Sequence, residues 1–281
     1  MKSNRIICLM SDLGLSDKYT GIMKGVACSV DPGLMIHDLT HNITPFGIPE
    51  AARLLSDTLR FWPAGTTFVV VVDPGVGSSR NALAMLTQSD HFILCPDNGL
   101  ITSVEADYGI REIRKIDIRK NRYPGSTLSS TFHGRDIFVF NGAMLASGKC
   151  SLGDIGYLYA SPPVILNFPE AIIRKNKIEG MITRIEEPFG NFCTNIKADT
   201  VTGILLRKGK AFKVSVREGK KILFSGKAIY ASTFSEAATG QLLIYIDSSG
   251  KLGIARNLGR VTEPSIVKAG KDTGIIIEKK I

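Results

Sequence analysis

Three stretches in the first half of the chain carry side chains with the chemistry of catalysis. MSDLGLSD, residues 10–17, sets Asp12 and Asp17 on either side of Gly14. VVDPGVGSSR, residues 71–80, ends an apolar run at Asp73 and reaches Arg80 through a proline, two glycines and two serines. SSTFHGRD, residues 129–136, places His133 just ahead of a helix predicted to begin near Arg135 or Asp136. A carboxylate, a guanidinium and an imidazole are the groups that orient and activate a weak nucleophile. Each also has a plainer reading. An aspartate at a strand end caps a helix or closes an Asx turn, and Asp73-Pro74-Gly75 alone is an ordinary turn. A histidine at a helix start serves equally as a cap. The glycines follow neither a G-x-G-x-x-G nor a Walker pattern, so a phosphate cradle is not indicated. HDLTH gives His37 and His41 the i, i+4 spacing of half a zinc site, but His37 falls in a predicted strand and no glutamate follows it. In the second half, RIEEPFGNFCTNI ends a turn with Asn191, whose amide can read an adenine edge or simply hold the turn.

The elements around these loops have two textures. Up to about residue 160, strand-like runs (RIICLMS, LMIHDLT, TTFVVVV, HFILCP) alternate with helix-like ones. DKYTGIMKGVACSVD shows Ile22, Val26 and Val30 on one face, and IPEAARLLSDTLRFW has Pro49 in its first turn. NGLITSVEADYG and RDIFVFNGAMLASG close on Gly109 and Gly148. This alternation predicts an α/β domain with a mostly parallel central sheet, whose strand ends carry the three loops. YASPPVILNFPE, with three prolines, then breaks the pattern. Beyond it KIEGMITRIEE, AFKVSVREGKKILFSG, QLLIYIDSSGKLGIA and TGIIIEKK alternate across REGKK and DSSGK turns, as hairpins do. The expected organisation is an α/β domain over 1–160, a linker over 161–169 and a smaller antiparallel β-barrel or sandwich over 170–281.

At 281 residues and 44% hydrophobic, the chain can bury a large core. No apolar run approaches the roughly 18 residues of a membrane helix, and the N-terminal apolar run is too short for a signal-peptide core; a cytoplasmic protein without a membrane partner is expected. The five cysteines are dispersed without C-x-x-C, which argues against a disulfide framework and favours small core residues. The net charge of +9 admits a nucleic-acid partner, yet the lysines and arginines are scattered among strand residues. No aromatic-rich strand face supports such a partner, and a solvated basic face accounts for the charge better.

Taken jointly, MSDLG, DPGVGSSR, PDNGL, TFHGRDIF, EPFGN and GIARN resemble, in this order, the motifs of the S-adenosyl-L-methionine (SAM) hydroxide adenosyltransferases. That family is related to the SAM-dependent fluorinating and chlorinating enzymes, and the resemblance spans nearly the whole chain. It implies hydrolysis of SAM to adenosine and L-methionine by in-line attack of water or hydroxide on the ribose C5′. Asp73, Arg80 and His133 match the set that gathers around the nucleophile. No metal or organic cofactor is implied, since SAM is the substrate.

The resemblance further implies that Asp12 holds both ribose hydroxyls and that Asp17 and Glu186 bind the methionine ammonium. Relatives often carry aspartate at the position of Glu186. Ser248 matches a binder of the methionine carboxylate, although Ser249 stands where the fluorinating enzyme has arginine. Asn191 matches an adenine reader, the backbone around Arg256 closes the adenine pocket, and Phe46 and Phe132 resemble apolar walls near the ribose. A homotrimer or dimer of trimers, with the site between subunits, is implied. A halogenase of the same fold and a non-catalytic SAM or adenosine sensor are the competing functions. Against halide use, Gly134 and Asp73 stand where the fluorinating enzymes have a serine and a tyrosine.

Overall fold

The structure is a computed structural model, and it describes residues 3–126, 131–201, 205–270 and 272–279. The chain divides into two compact units, Met1–Leu166 and Asn167–Ile281.

The first unit runs β1 (Ile6–Ser11), α1 (Tyr19–Val30), β2 (Met35–Thr40), α2 (Ile48–Leu59), β3 (Thr67–Val71), β4 (Ala82–Thr87), β5 (Phe92–Pro96), α3 (Thr102–Tyr108) and β6 (Ile110–Ile116). A π-helical turn, Gly134–Val139, leads into α4 (Phe140–Ala146), followed by α5 (Leu152–Ile155) and β7 (Gly156–Leu158). The seven strands form one sheet in the order β2-β1-β3-β5-β4-β6-β7. Pairings from β2 through β5 are parallel, while β4 and β7 run against their neighbours, so the sheet is mostly parallel, as expected.

The central strands are apolar on both faces because both faces are covered. Ile7, Leu9, Val69 and Val71 pack with Met23, Val26 and Phe138 on one side. Cys8, Met10, Phe68 and Val70 pack with Leu55, Leu59 and Val104 on the other. On α1 the buried residues are Met23, Val26, Ala27 and Val30, with Ile22 only half buried. Val26 and Val30 thus lie on the buried face as predicted, and Met23 takes the place expected for Ile22. Gly109 and Gly148 end their helices with φ of 72° and 73°, the left-handed conformation glycine adopts freely. The last long helix starts at Gly134, earlier than predicted, as a wider π turn. The cysteines are all free: Cys8 and Cys95 are buried, Cys150 and Cys193 half buried, and Cys28 is exposed rather than in the core.

The second unit contains β8 (Ile172–Arg174), β9 (Lys177–Glu186), β10 (Asn191–Lys197), β11 (Ala211–Glu218), β12 (Lys221–Tyr230), β13 (Leu242–Ile246), β14 (Lys251–Arg256) and β15 (Thr273–Lys279). The order is β10-β14-β13-β12-β11-β15-β9-β8, and an extra β9–β10 pairing closes seven strands into a barrel. All pairs are antiparallel except β12–β13. Phe192, Ile178, Val214, Ile254 and Ile275 fill the interior. Among the described residues, no helix is long and apolar enough to cross a membrane.

Candidate active site

Register decides which loops share one sheet edge. Ser11 lies opposite Val71 in the parallel β1–β3 pair, and Met10 lies opposite Thr40 in β1–β2. The chain segments starting at Asp12, His41 and Asp73 therefore leave the sheet at the same, C-terminal edge, where open α/β sheets bind ligands.

Beyond β3 the chain folds back tightly. Val76 N donates to Asp73 O at 3.2 Å, and the Ser78 hydroxyl donates to Gly75 O at 2.7 Å. A Cβ on Gly75 would meet Arg80 Cγ at 3.3 Å, so a bare backbone lets the arginine stem return over the turn. Arg80 Nε donates to Asp73 Oδ1 at 2.8 Å and Nη2 to Oδ2, a bidentate pair. The two side chains are only 10% and 4% exposed, which sets the pair apart from a screened surface bridge. The guanidinium also lies over the Phe138 ring, 5.3 Å from its centroid.

His133, buried at the start of the π turn, joins this pair: Arg80 Nη2 stands 2.9 Å from its Nδ1. A guanidinium only donates, so Nδ1 accepts and the neutral ring carries its proton on Nε2. Burial, then the Arg80 charge, holds the imidazole below its ordinary value of 6.5; Asp73 opposes this in part. The cluster thus presents an N–H donor from His133 rather than a free base. Asp73, with both oxygens on Arg80, acts through that arginine.

Sequence reading alone did not find the support behind Arg80. The Asn81 carbonyl accepts from Arg80 Nη1 at 3.3 Å and from Asp97 N at 3.0 Å. Tyr159 donates to Asp97 Oδ2 at 2.8 Å, and Asn98 Nδ2 donates to Val72 O at 2.9 Å. The available signal was the PDNGL motif itself.

Asp12 Oδ2 accepts from Phe46 N at 2.8 Å. Phe46 sits at φ 65°, strained for a non-glycine residue, and its ring is largely exposed. Asp17 is exposed beside the start of α1, and its Oδ1 accepts from Lys18 N at 2.6 Å. Phe132 meets Tyr19 edge-on with centroids 5.4 Å apart and lies under Arg135, which Asp136 holds. His41 is buried and His37 exposed. No group of three or more His, Cys, Asp or Glu side chains among the described residues is placed to hold a metal.

In the barrel unit, Glu186, Asn191, Ser248 and Arg256 all line one cavity of about 880 Å³. Asn191 Nδ2 donates to Glu186 Oε2 at 3.2 Å, joining the two ends of the β9–β10 turn. The Arg256 guanidinium donates to the carbonyls of Arg260 and Gly240 at 2.8 and 2.7 Å, so its charge braces the wall. Asp247 Oδ1 accepts from the Ser249 hydroxyl at 2.8 Å and from Lys251 N at 2.9 Å, which ties Ser249 into the turn beside Ser248. Phe189, in the β9–β10 turn, Phe234, in a short 3-10 turn, and Tyr245, on β13, add aromatic walls that sequence reading missed; only Tyr245 had a signal, the alternation of its strand. Burial, and then the Glu186 charge, pushes the Tyr245 hydroxyl up.

An α/β unit with an Asp–Arg–His cluster beside its strand ends, joined in sequence to a closed barrel with an aromatic-walled cavity, defines the class of protein. The chain belongs to the SAM hydroxide adenosyltransferase family, whose N-terminal domain matches residues 7–156 and whose C-terminal domain matches residues 180–273. It is similar to a (R)-S-adenosyl-L-methionine hydrolase of Salinispora arenicola, 30% identical with 96% of this chain and 97% of the relative covered. It is also similar to a fluorinase of Actinoplanes sp. (strain N902-109), 28% identical with 95% and 96% covered. A crystal structure of an uncharacterised conserved protein from Thermotoga maritima superposes with a TM-score of 0.87 at 36% identity, over 97% of this chain and 100% of that one.

Proposed function

We propose that the protein hydrolyses SAM to adenosine and L-methionine without a metal or organic cofactor. The observation that carries this reading is the buried Asp73–Arg80–His133 cluster. Water or hydroxide accepts from His133 Nε2–H beside the Arg80 charge and attacks C5′ in line. The O–C5′ bond forms as the C5′–S bond breaks, the bonding pair stays on sulfur, and one proton is released to solvent. The sulfonium departs as a neutral thioether and needs no acid, so catalysis rests on positioning and electrostatics. Asp12 accepts from the ribose hydroxyls, Asp17 and Glu186 meet the ammonium, Ser248 the methionine carboxylate and Asn191 the adenine. Phe46, Phe132 and the wall around Arg256 supply apolar and backbone contacts.

A homotrimer or dimer of trimers and a cytoplasmic location belong to the same proposal; sedimentation velocity tests the assembly. Incubation of the purified protein with SAM, followed by mass spectrometry, tests the chemistry. Adenosine and methionine should accumulate in equal amounts. SAM bound but unconsumed would make the protein a sensor, and a 5′-halo-5′-deoxyadenosine formed with added halide would make it a halogenase.

A further inference from the structure

His41 takes no part in the proposed reaction, yet it is sealed at the C-terminal edge of the sheet, with none of its side-chain surface exposed. Its Nδ1 is 2.7 Å from the Ser11 hydroxyl and its Nε2 is 3.0 Å from Asp38 Oδ1. Asp38 Oδ2 in turn accepts from Lys24 Nζ at 2.6 Å. For the neutral ring the donors follow from the partners. A carboxylate only accepts, so His41 Nε2 carries the proton and Nδ1 accepts from Ser11 O–H. The Ser11 oxygen is then free to accept from Leu13 N, 3.3 Å away. Every member of the chain is satisfied, from the surface ammonium of Lys24 to a backbone amide of the β1–α1 loop.

The order Ser–His–Asp invites a nucleophilic reading, which the geometry rejects. Ser11 is fully buried. It also meets Nδ1 and the carboxylate meets Nε2, the reverse of a hydrolytic triad. What the chain does is grip the Asp12 turn from both sides. Ser11 precedes Asp12 and Leu13 follows it, and both are tied to the Ser11–His41 contact. The His41 carbonyl accepts from Gly14 N at 2.8 Å, and Ser11 O accepts from Ile43 N at 3.4 Å. Asp12 itself is held by Phe46 N.

We propose that His41 is a positioning residue for the Asp12 carboxylate, with Ser11 and Asp38 fixing its ring, so that Asp12 meets the ribose diol in one orientation. This rests on the reading of Asp12 as the diol acceptor. A binding residue on a loop selects between ligands only when its own position is restricted, and a buried, fully paired imidazole supplies that restriction where an apolar filler would leave the turn free to shift.

The test compares adenosine with 2′-deoxyadenosine by isothermal titration, beside thermal unfolding of each variant. The wild-type protein should prefer adenosine by about tenfold or more, the scale of one hydroxyl donating to a carboxylate. Asp12→Ala should abolish the preference; if it keeps it, the reading of Asp12 fails and the inference with it. His41→Ala should cut the preference to within about threefold, with 2′-deoxyadenosine, which keeps its 3′-hydroxyl, weakened less than adenosine, and His41→Gln, whose amide can donate to Asp38 and accept from Ser11, should restore much of the preference. A folded His41→Ala with the wild-type preference, while Asp12→Ala loses it, overturns the proposal. If His41→Ala does not fold, Asp38→Ala at the partly exposed end is read in the same way: a reduced preference supports the proposal and an unchanged one overturns it.

Discussion

Arg80 Nη2 and His133 Nδ1 face each other at 2.9 Å across 53 residues of sequence. The contact settles the histidine's tautomer, because the guanidinium has no lone pair to offer. It leaves His133 Nε2–H free to donate, toward the nucleophile in the proposed reaction, while Arg80 holds Asp73. The consequences can be measured.

The oxygen delivered to C5′ should come from solvent. In water enriched in oxygen-18, the adenosine formed should carry one heavy oxygen in its 5′-hydroxyl by mass spectrometry. An unlabelled product would rule out direct attack by water.

Arg80→Ala and His133→Ala should each lower kcat far more than they weaken SAM binding, since both are assigned to the transition state. Asp12→Ala should do the opposite, weakening binding by about 1.5–3 kcal/mol through loss of a charged acceptor. Steady-state kinetics beside calorimetric titration separates the two patterns, and their exchange would reverse the roles of these residues.

Asp73→Ala should be costly for the fold as well as for activity. It leaves the Arg80 charge buried without its carboxylate, a loss of about 3–5 kcal/mol. Asp73→Ala combined with Arg80→Met should unfold at a higher denaturant concentration than Asp73→Ala alone, because the two residues are coupled. Additive losses would mean that the pair is solvated.

Acid should weaken the protein through His133. Its folded-state pKa lies below 6.5, so as pH falls past 6.5 the unfolded chain takes up a proton that the folded site resists. The neutral ring's contribution is complete above that pH and is lost as pH falls through the folded value. Protonated Nδ1 can no longer accept from Arg80, so kcat should fall over the same range. His133→Gln should show a smaller loss of stability between pH 7.5 and 5 in denaturant titrations; equal losses would assign the acid sensitivity elsewhere.

Fluoride and chloride should not replace water. A halide needs donors in a dry pocket, and the Asp73 carboxylate opposes a second anion. A Cβ at Gly134 would stand 3.2 Å from both the Phe132 ring and Val71 Cγ1, so Gly134→Ser must displace one of them to introduce a hydroxyl. Reaction with SAM in molar chloride or tens of millimolar fluoride should yield adenosine alone; a 5′-halo product at a comparable rate would refute the hydrolytic assignment.

Much of this protein was legible before any coordinates. Strand–helix alternation followed by paired β segments specified two architectures, because burial on both faces and burial on one face leave different periodicities. The strand ends at Asp12 and Asp73 and the helix stops at Gly109 and Gly148 were readable for similarly local reasons: a change from apolar to turn-forming residues, and a backbone conformation only glycine adopts at low cost. Tertiary structure decided what depends on partners. NALAMLT is as apolar as a parallel strand, and only its neighbours show that β4 runs against β5 and β6, since hydrophobicity carries no direction. His37 and His41, spaced like ligands, diverge because the strand ends between them, leaving one exposed and the other sealed against Ser11. The sequence could place Asp73, Arg80 and His133 near loops. Whether they meet, and which nitrogen holds the proton, follows from the π turn after His133 packing against the end of β3 at Val71 and from a turn tight enough to fold Arg80 back over Gly75, relations between segments that no local pattern encodes.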